Sequence, residues 1–446
     1  MTGRGARPRG DGSNGMDSGG TLVIGAGITG LATAAELSSR GDDDYLVLEA
    51  SSEVGGYCKT VKTDGFVWDY SGHFFHFKHP EIEAWLRERM VGQEIVSVEK
   101  KSFIAYGGQR IDFPFQKNIH QLPKDEFIDC LHDLYFAWLA RSSEAARGGA
   151  AHEENFRDML YARLGRSICE KFLVPYNEKL YACDLGTLDK DAMGRFFPHA
   201  DLTDIVRNMK HSDNESYNAT FTYPTGGAIE YVNALLRAVR TDRIALGEAL
   251  VGVDIDRKIA RTNRREIRFE RMVSSGPFDK FARLCALDHD PTVWACNKVL
   301  VFNLGFDSKG PRGVHWTYYP SRDTVFYRVG WYDNILDTDR MSLYVEIGFP
   351  KDAPVDIAAM RGRVLEGLRK EGVLTTQRLV AEHSIVLDPG YVHITKRSLA
   401  EHARLSAALR ERGIWSIGRY GGWTYCSIED NIVEARAVVS SFFSGK

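Results

Sequence analysis

Two apolar runs, TLVIG from Thr21 and YLVLEA from Tyr45, are short and unbroken, the pattern of strands buried on both faces. Between them GAGITG reads as a turn and LATAAELSSRG as a helix that Gly41 closes. Strand, glycine turn, helix and strand in this order within about thirty residues predict a dinucleotide-binding βαβ unit. From Asn118 to roughly His211 the period lengthens to that of a helix. There LPKDEFIDCLHDLYFAWLA, with Pro123 near its start, and ENFRDMLYARLGRSICEKFLVPYNEKLY predict a helical insertion. The small, polar stretch SSEAARGGAAHEEN at 142–155 predicts a mobile connection between two of its helices. After Pro224 a helix, AIEYVNALLRAVR, is followed by the β-type runs EIRFERMVSSGP, VLVFNLGF, TVFYRVGWY and MSLYVEIGF, which predict a mixed sheet. GIWSIGRYGGW and IEDNIVEARAVVSSFF predict a closing strand, glycine turn and helix that returns to the first unit.

Composition narrows the class. A chain of 446 residues outgrows a single core, so two or three domains are expected. No stretch approaches the roughly 18 to 20 apolar residues of a membrane span. The net charge of -3, with both signs interspersed, excludes the basic footprint of a nucleic-acid binder and favours a small-molecule partner. The seven cysteines are scattered without a CxxC pair or a Cys/His cluster at zinc spacing, which points to a reducing, cytoplasmic setting and no structural metal. Residues 1–19, rich in Gly, Arg, Ser and Asp, lack the apolar segment of a signal peptide and are expected to be a disordered leader.

The glycines of GAGITG have separate tasks: Gly25 makes the tight turn, Gly27 lets backbone approach a pyrophosphate, and Gly30 allows close packing of helix on strand. The helix start offers unpaired N–H groups and a positive dipole end to phosphate. Glu49 ends the second strand, where a carboxylate can accept from both hydroxyls of a ribose. This unit alone would suit NAD as well as FAD. The second glycine pair, Gly55 and Gly56 just beyond the ribose acid, favours FAD.

The segments VIGAGITGLATAAEL, LEASSEVGG and DGFVWDYSGHFFHF resemble the FAD-dependent amine oxidase and protoporphyrinogen oxidase superfamily, and within it most resemble the UDP-galactopyranose mutases, over about residues 20 to 440. The resemblance implies an α/β fold with a Rossmann-type FAD-binding domain (20–90, 218–297 and 405–446). It adds a helical domain (117–217) and a mixed, largely antiparallel sheet domain (91–116 and 298–404). It also implies that Gly72 and His73 of SGH lie beside the isoalloxazine, with Arg419 of GRYGG near the flavin. On its own, a histidine flanked by Phe74 and Phe75 could equally be a satisfied core residue.

Further likeness runs in order through DFPFQKNIHQLP, VPYNEKLY, GRFFP, NATFTYPTGGAIEYV, WTYYP, FYR, PGY and GRYGGWTY. A nucleotide-sugar site needs an aromatic face for the base, amides or hydroxyls for its edges and cations for a diphosphate. The resemblance implies that Phe113, Phe115, Gln116, Tyr176, Asn177 and Tyr181 surround uridine, with Tyr181 standing where the family has tryptophan. It further implies that Arg328 and Arg195 clamp the diphosphate, and that Tyr318, Tyr391 and Tyr425 hydrogen-bond phosphate or sugar. Thr424 departs from the arginine that mutases carry there, and Ser427 from the acid of bacterial members.

The implied reaction is a redox-neutral interconversion of the pyranose and furanose forms of a UDP-galactose-like sugar, with reduced FAD N5 as nucleophile and His73, Arg328 and Arg195 as the catalytic set. It calls for a reductant of the flavin, NAD(P)H or a reductase, and is compatible with a homo-oligomer. The alternatives are an FAD-dependent oxidoreductase of amine oxidase or desaturase type and a non-catalytic flavin or nucleotide-sugar binding protein.

Overall fold

Unbroken apolar runs become central parallel strands because helices cover both of their faces. Strand β1 (Asp17–Ile24) pairs in parallel with β2 (Tyr45–Glu49), Thr21 opposite Tyr45 and Ile24 opposite Leu48, and α1 (Ile28–Ser39) makes the crossover. On its other edge β1 pairs in parallel with Glu266–Ser274. That long strand is shared: its first half pairs antiparallel with Ile259–Thr262 and its second half parallel with Ile414–Ser416. Leu250–Asp254 and Ile244–Leu246 complete the seven-stranded sheet.

The computed structural model describes residues 17–148, 153–198, 200–210 and 219–444. Residues 1–16 of the expected leader therefore lie outside the described residues. Positions 17–19 correct that expectation. They pair with Ile267, Arg268 and Phe269, so the strand begins at Asp17 rather than Thr21. Backbone hydrogen bonding to a nine-residue neighbour extends the strand through residues with no apolar side chain of their own.

The second seven-stranded sheet runs, in spatial order, Leu379–Leu387, Asn297–Phe306, Ser342–Pro350, Arg328–Trp331, Trp316–Tyr318, Ser102–Tyr106 and Gln109–Asp112. All its pairings are antiparallel except that of Trp316–Tyr318 with Ser102–Tyr106. Ile95–Glu99, expected in this sheet, instead forms a separate ribbon with Thr220–Pro224, and Phe75 bridges to Thr222 beside it.

The helical insertion holds the helices Lys124–Ala146, Phe156–Ile168, Val174–Tyr181 and Leu202–Asn208. Part of the expected connection at 142–155 is helix. Ser, Glu and Ala at 142–146 continue the first helix to Ala146, because nothing in them breaks its hydrogen bonding. Residues 149–152 lie outside the described residues, and Asn155 caps the next helix by accepting from the Asp158 amide. Among the described residues no helix is long and apolar enough to cross a membrane.

The third glycine of the turn locks this framework. A Cβ on Gly30 would stand 1.8 Å from the Gly25 carbonyl oxygen, a backbone atom that cannot step aside. Gly30→Ala is expected to destabilise the protein by about 1–3 kcal/mol, as overpacking does, and to lower its capacity for a bound dinucleotide. Urea denaturation and cofactor content of the purified protein measure the two effects.

Candidate functional site

The carboxyl ends of the parallel strands, at Ile24, Glu49 and Ser275, open into a cavity of about 660 Å³. This is where open α/β sheets hold their ligands. One end of it is made of backbone. Gly25 has a φ of +96°, the left-handed region that favours glycine, and a Cβ there would meet Ser275 Oγ at 2.5 Å. Gly27 is different. It lines the cavity and caps α1 without a side chain, and a Cβ on it would come no closer than 3.8 Å to protein. Packing does not demand glycine at this position; without a side chain there, the first N–H groups of α1 are left open to the cavity, and such groups suit an anion. Gly55 and Gly56 line the same wall, and the Gly55 amide donates to the Ala26 carbonyl at 2.8 Å. Glu49 accepts from the Ala26 amide at 2.8 Å and from the Ser51 amide at 2.9 Å, one bond to each carboxylate oxygen.

The other end is made of side chains. Arg328 lies directly across from Glu346 in the neighbouring strand. It donates from Nε to Oε2 at 2.6 Å and from Nη2 to Oε1 at 2.7 Å, and Ser71 Oγ donates to the same Oε1. Burial pushes the Glu346 carboxyl up, but the Arg328 charge, with the hydrogen bonds from Arg328 and Ser71, outweighs it and holds the carboxyl below its ordinary value. Two of the five guanidinium N–H groups of Arg328 are thus engaged, and the residue still lines the cavity. Arg419 also lines it and has no carboxylate partner among the described residues. Its guanidinium carbon lies 4.6 Å from the Tyr425 ring centre and 5.2 Å from that of Tyr391, and those two rings stack on each other.

Gly72 and His73 join the two ends. Burial, followed by the charge of Arg419, lowers the His73 pKa to about 4, against opposing effects from Glu346 and the Ser71 backbone. The imidazole is therefore neutral at neutral pH, and its Nδ1 has no hydrogen-bond partner. Gly72 is glycine for a packing reason: a Cβ would meet Tyr344 Oη at 2.7 Å.

The cavity wall thus gathers Gly25, Gly27, Glu49, Gly55, Gly56, Gly72, His73, Arg419, Tyr318, Arg328, Tyr391 and Tyr425. Gly30 stands behind it as packing. The six residues assigned to uridine are not on the wall of this cavity; three of them pack directly against residues that are. Phe113 and Tyr176 pack on Tyr318 at 4.9 and 5.2 Å, and Tyr181 packs on Tyr391 at 5.7 Å. Phe115 is fully buried against Phe172. The Gln116 amide nitrogen donates to the Pro198 carbonyl and that of Asn177 to the Leu173 carbonyl at 2.7 Å, while Gln116 Oε1 and Asn177 Oδ1 are buried without a hydrogen-bond partner. Arg195 belongs to the short helix Gly194–Phe196, and its side chain lies outside the described residues. Its neighbour Phe196 lines the cavity, 4.9 Å from the Tyr425 ring.

Several residues on this wall were not singled out in the sequence. Glu346 is the foremost, and one signal marked it: a lone acid within the apolar run MSLYVEIGF. Tyr327 and Tyr344, also cavity-lining, read only as strand residues. Asn431 accepts from Thr29 Oγ1 at 2.8 Å and from the Arg419 amide at 3.0 Å, so the last helix ties the start of α1 to GRYGG, which forms the short helix Gly418–Gly421 rather than the expected turn.

The family of flavin containing amine oxidoreductases matches residues 28–305 of this chain. The chain belongs to that family. Membership implies a flavin cofactor, and the uncapped start of α1, the glycine-lined wall and Glu49 suit one. Among solved structures the fold is similar to a reduced UDP-galactopyranose mutase, with a TM-score of 0.87, 22% identity, and coverage of 96% of this chain and 94% of that one. It is also similar to a redesigned putrescine oxidase, with a TM-score of 0.65, 13% identity, and coverage of 96% and 100%. Among curated relatives, protoporphyrinogen oxidase 2 of Arabidopsis thaliana is 27% identical over 197 residues, 42% of this chain and 36% of that protein. The likeness therefore spans little more than a third of that relative's length. Among the described residues, no group of three His, Cys, Asp or Glu could hold a metal ion.

Glu346→Gln would leave the Arg328 charge buried beside a neutral amide. A loss of about 3–5 kcal/mol is expected, as when one partner of a buried pair is removed, read by denaturant unfolding at neutral pH. The difference between the two proteins should shrink as acid protonates Glu346 in the wild type.

Proposed function

We propose that the chain binds FAD and, with the flavin reduced, interconverts the pyranose and furanose forms of a UDP-sugar. The observation that carries this reading is the pairing, in one cavity, of a backbone cradle for a dinucleotide with a chamber lined by Arg328, Arg419, Tyr318, Tyr391 and Tyr425. The fold likeness to a reduced UDP-galactopyranose mutase, across nearly the whole of both chains, supports it.

Gly25, Gly27, Gly55 and Gly56 would hold the pyrophosphate of FAD, Glu49 its ribose, and the 71–73 turn its ring. The reduced isoalloxazine would supply the nucleophile for the sugar carbon. Everything else falls to side chains of this protein. Arg328, fixed by Glu346, would present its remaining N–H groups to a diphosphate, a planar fork suited to phosphate oxygens. Arg419 would contribute charge not cancelled by any described carboxylate. The phenols of Tyr318, Tyr391 and Tyr425 would orient phosphate and sugar, so that most of the rate enhancement comes from positioning and electrostatics. Neutral His73, with Nδ1 free of protein partners, would hydrogen-bond the flavin edge without adding charge there. A reductant, NAD(P)H or a reductase, would be required only to prime the protein, since the proposed interconversion involves no net oxidation.

Another reading, oxidation of a small molecule, draws on the protoporphyrinogen oxidase relatives and on the compensation of Arg328 by Glu346, which lowers the net positive charge offered to a diphosphate. One experiment separates the two. The FAD-loaded protein is incubated with UDP-galactopyranose, with and without dithionite, and the nucleotide sugars are chromatographed. Furanose formed only with reductant is expected. No conversion, together with rapid flavin reduction by an amine or a porphyrinogen, defeats the mutase reading. Arg328→Lys is expected to weaken UDP binding by about 10- to 100-fold, the loss of one charge-assisted contact, as read from UDP titrations of flavin absorbance.

A further inference from the structure

Asp69 ends the strand Phe66–Asp69, two positions before Ser71, and is completely buried. Its Oδ1 accepts from Thr60 Oγ1 at 2.6 Å and from the Ala228 amide at 3.0 Å, and its Oδ2 from the Tyr223 hydroxyl at 2.7 Å. Its amide donates to Tyr332 Oη at 3.2 Å, and its carbonyl accepts from Asn303 Nδ2 at 2.9 Å. Thr60 in turn accepts from the Ile229 amide at 3.0 Å. One side chain thereby ties the strand that follows the Gly55 and Gly56 turn, the strand Thr220–Pro224 and the start of the helix Ile229–Leu236 to the stretch that leads into the 71–73 turn. Cys58, which donates to the Ala228 carbonyl at 3.3 Å, carries the connection to the cavity wall.

Hydrogen bonding alone does not call for a carboxylate here. Asparagine could accept from Thr60 and Ala228 and donate to a rotated Tyr223 hydroxyl. Unlike Glu346, Asp69 forms no ion pair among the described residues. Burial therefore pushes its pKa up to about 7, against the three donors that favour the charged form. The titratable groups that face it are Cys58, Tyr223 and Tyr332. Burial raises all three well above their ordinary values, so they stay neutral where Asp69 titrates.

We propose that Asp69 is a positioning residue for the cofactor-facing 71–73 turn and that its negative charge, set behind that turn, lowers the reduction potential of the flavin. A buried charge is weakly screened, and reduction adds electron density that a nearby anion opposes. The inference rests on flavin binding alone and is independent of which substrate the enzyme uses.

The test uses FAD-loaded wild type, Asp69→Asn and Tyr223→Phe, each titrated with dithionite against reference dyes from about pH 5.5 to about pH 8.5, on either side of the Asp69 transition. In the wild type, a plot of potential against pH should bend near 7 beyond the flavin's own proton uptake. Asp69→Asn should lack the bend and, at the alkaline end, lie higher by at least about 30 mV, a tenfold change in the two-electron equilibrium. Tyr223→Phe, which removes a donor to the charged form, should move the bend to higher pH. An Asp69→Asn protein that loads FAD and keeps the wild-type potential and bend overturns the proposal. If that variant does not load FAD, an unmoved bend in Tyr223→Phe overturns it instead.

Discussion

The Arg328 guanidinium can sit inside this protein because a carboxylate lies opposite it in register. Arg328 and Glu346 face one another across adjacent strands of the second sheet, and the bidentate geometry at 2.6 and 2.7 Å offsets the desolvation that either charge alone would suffer. Ser71, the third member, comes from a different segment of the cavity wall, immediately before Gly72 and His73. The ion pair therefore does more than hold two strands together. It joins the side-chain chamber to the stretch that holds Gly72 and His73, and its two charges act on the His73 imidazole with opposite sign, beside the larger effects of burial and Arg419.

Local physics made the first half of the site legible in the sequence. A strand, three glycines at fixed offsets and a terminal acid specify a backbone shape that needs no distant partner, and Gly25, Gly27, Gly30 and Glu49 stand where that shape requires them. The second half depends on contacts between residues far apart in the chain. Nothing near FYR announces that Arg328 is bound to Glu346, and nothing near SGH announces Ser71 as its third partner. The amides of Gln116 and Asn177 show the same limit: residue type marks them as able to pair with a base edge, but the fold decides that one donor of each goes to the carbonyl of Pro198 or Leu173. Element boundaries failed for related reasons. The extension of β1 to Asp17 and of the first insertion helix to Ala146 comes from backbone hydrogen bonds that side-chain pattern does not encode.

Two buried carboxylates with opposite shifts show how the cavity divides its tasks. Glu346 has a cation and keeps its charge; its stabilising effect is in place above the unfolded-state value of about 4.3 and is lost as pH falls through the lower folded value. Asp69 has donors but no cation, and its folded value near 7 lies above the unfolded value of about 3.9. Between those two values the folded protein holds a proton that the unfolded chain has released, so the contribution of Asp69 declines as pH rises through that window. A structural role alone would favour asparagine at position 69, whereas at position 346 only an anion can neutralise Arg328. The same degree of burial therefore has different consequences: at Glu346 it leaves a charge fixed by its cation, and at Asp69 a charge that neutral pH can switch, two positions before the cavity-lining 71–73 turn.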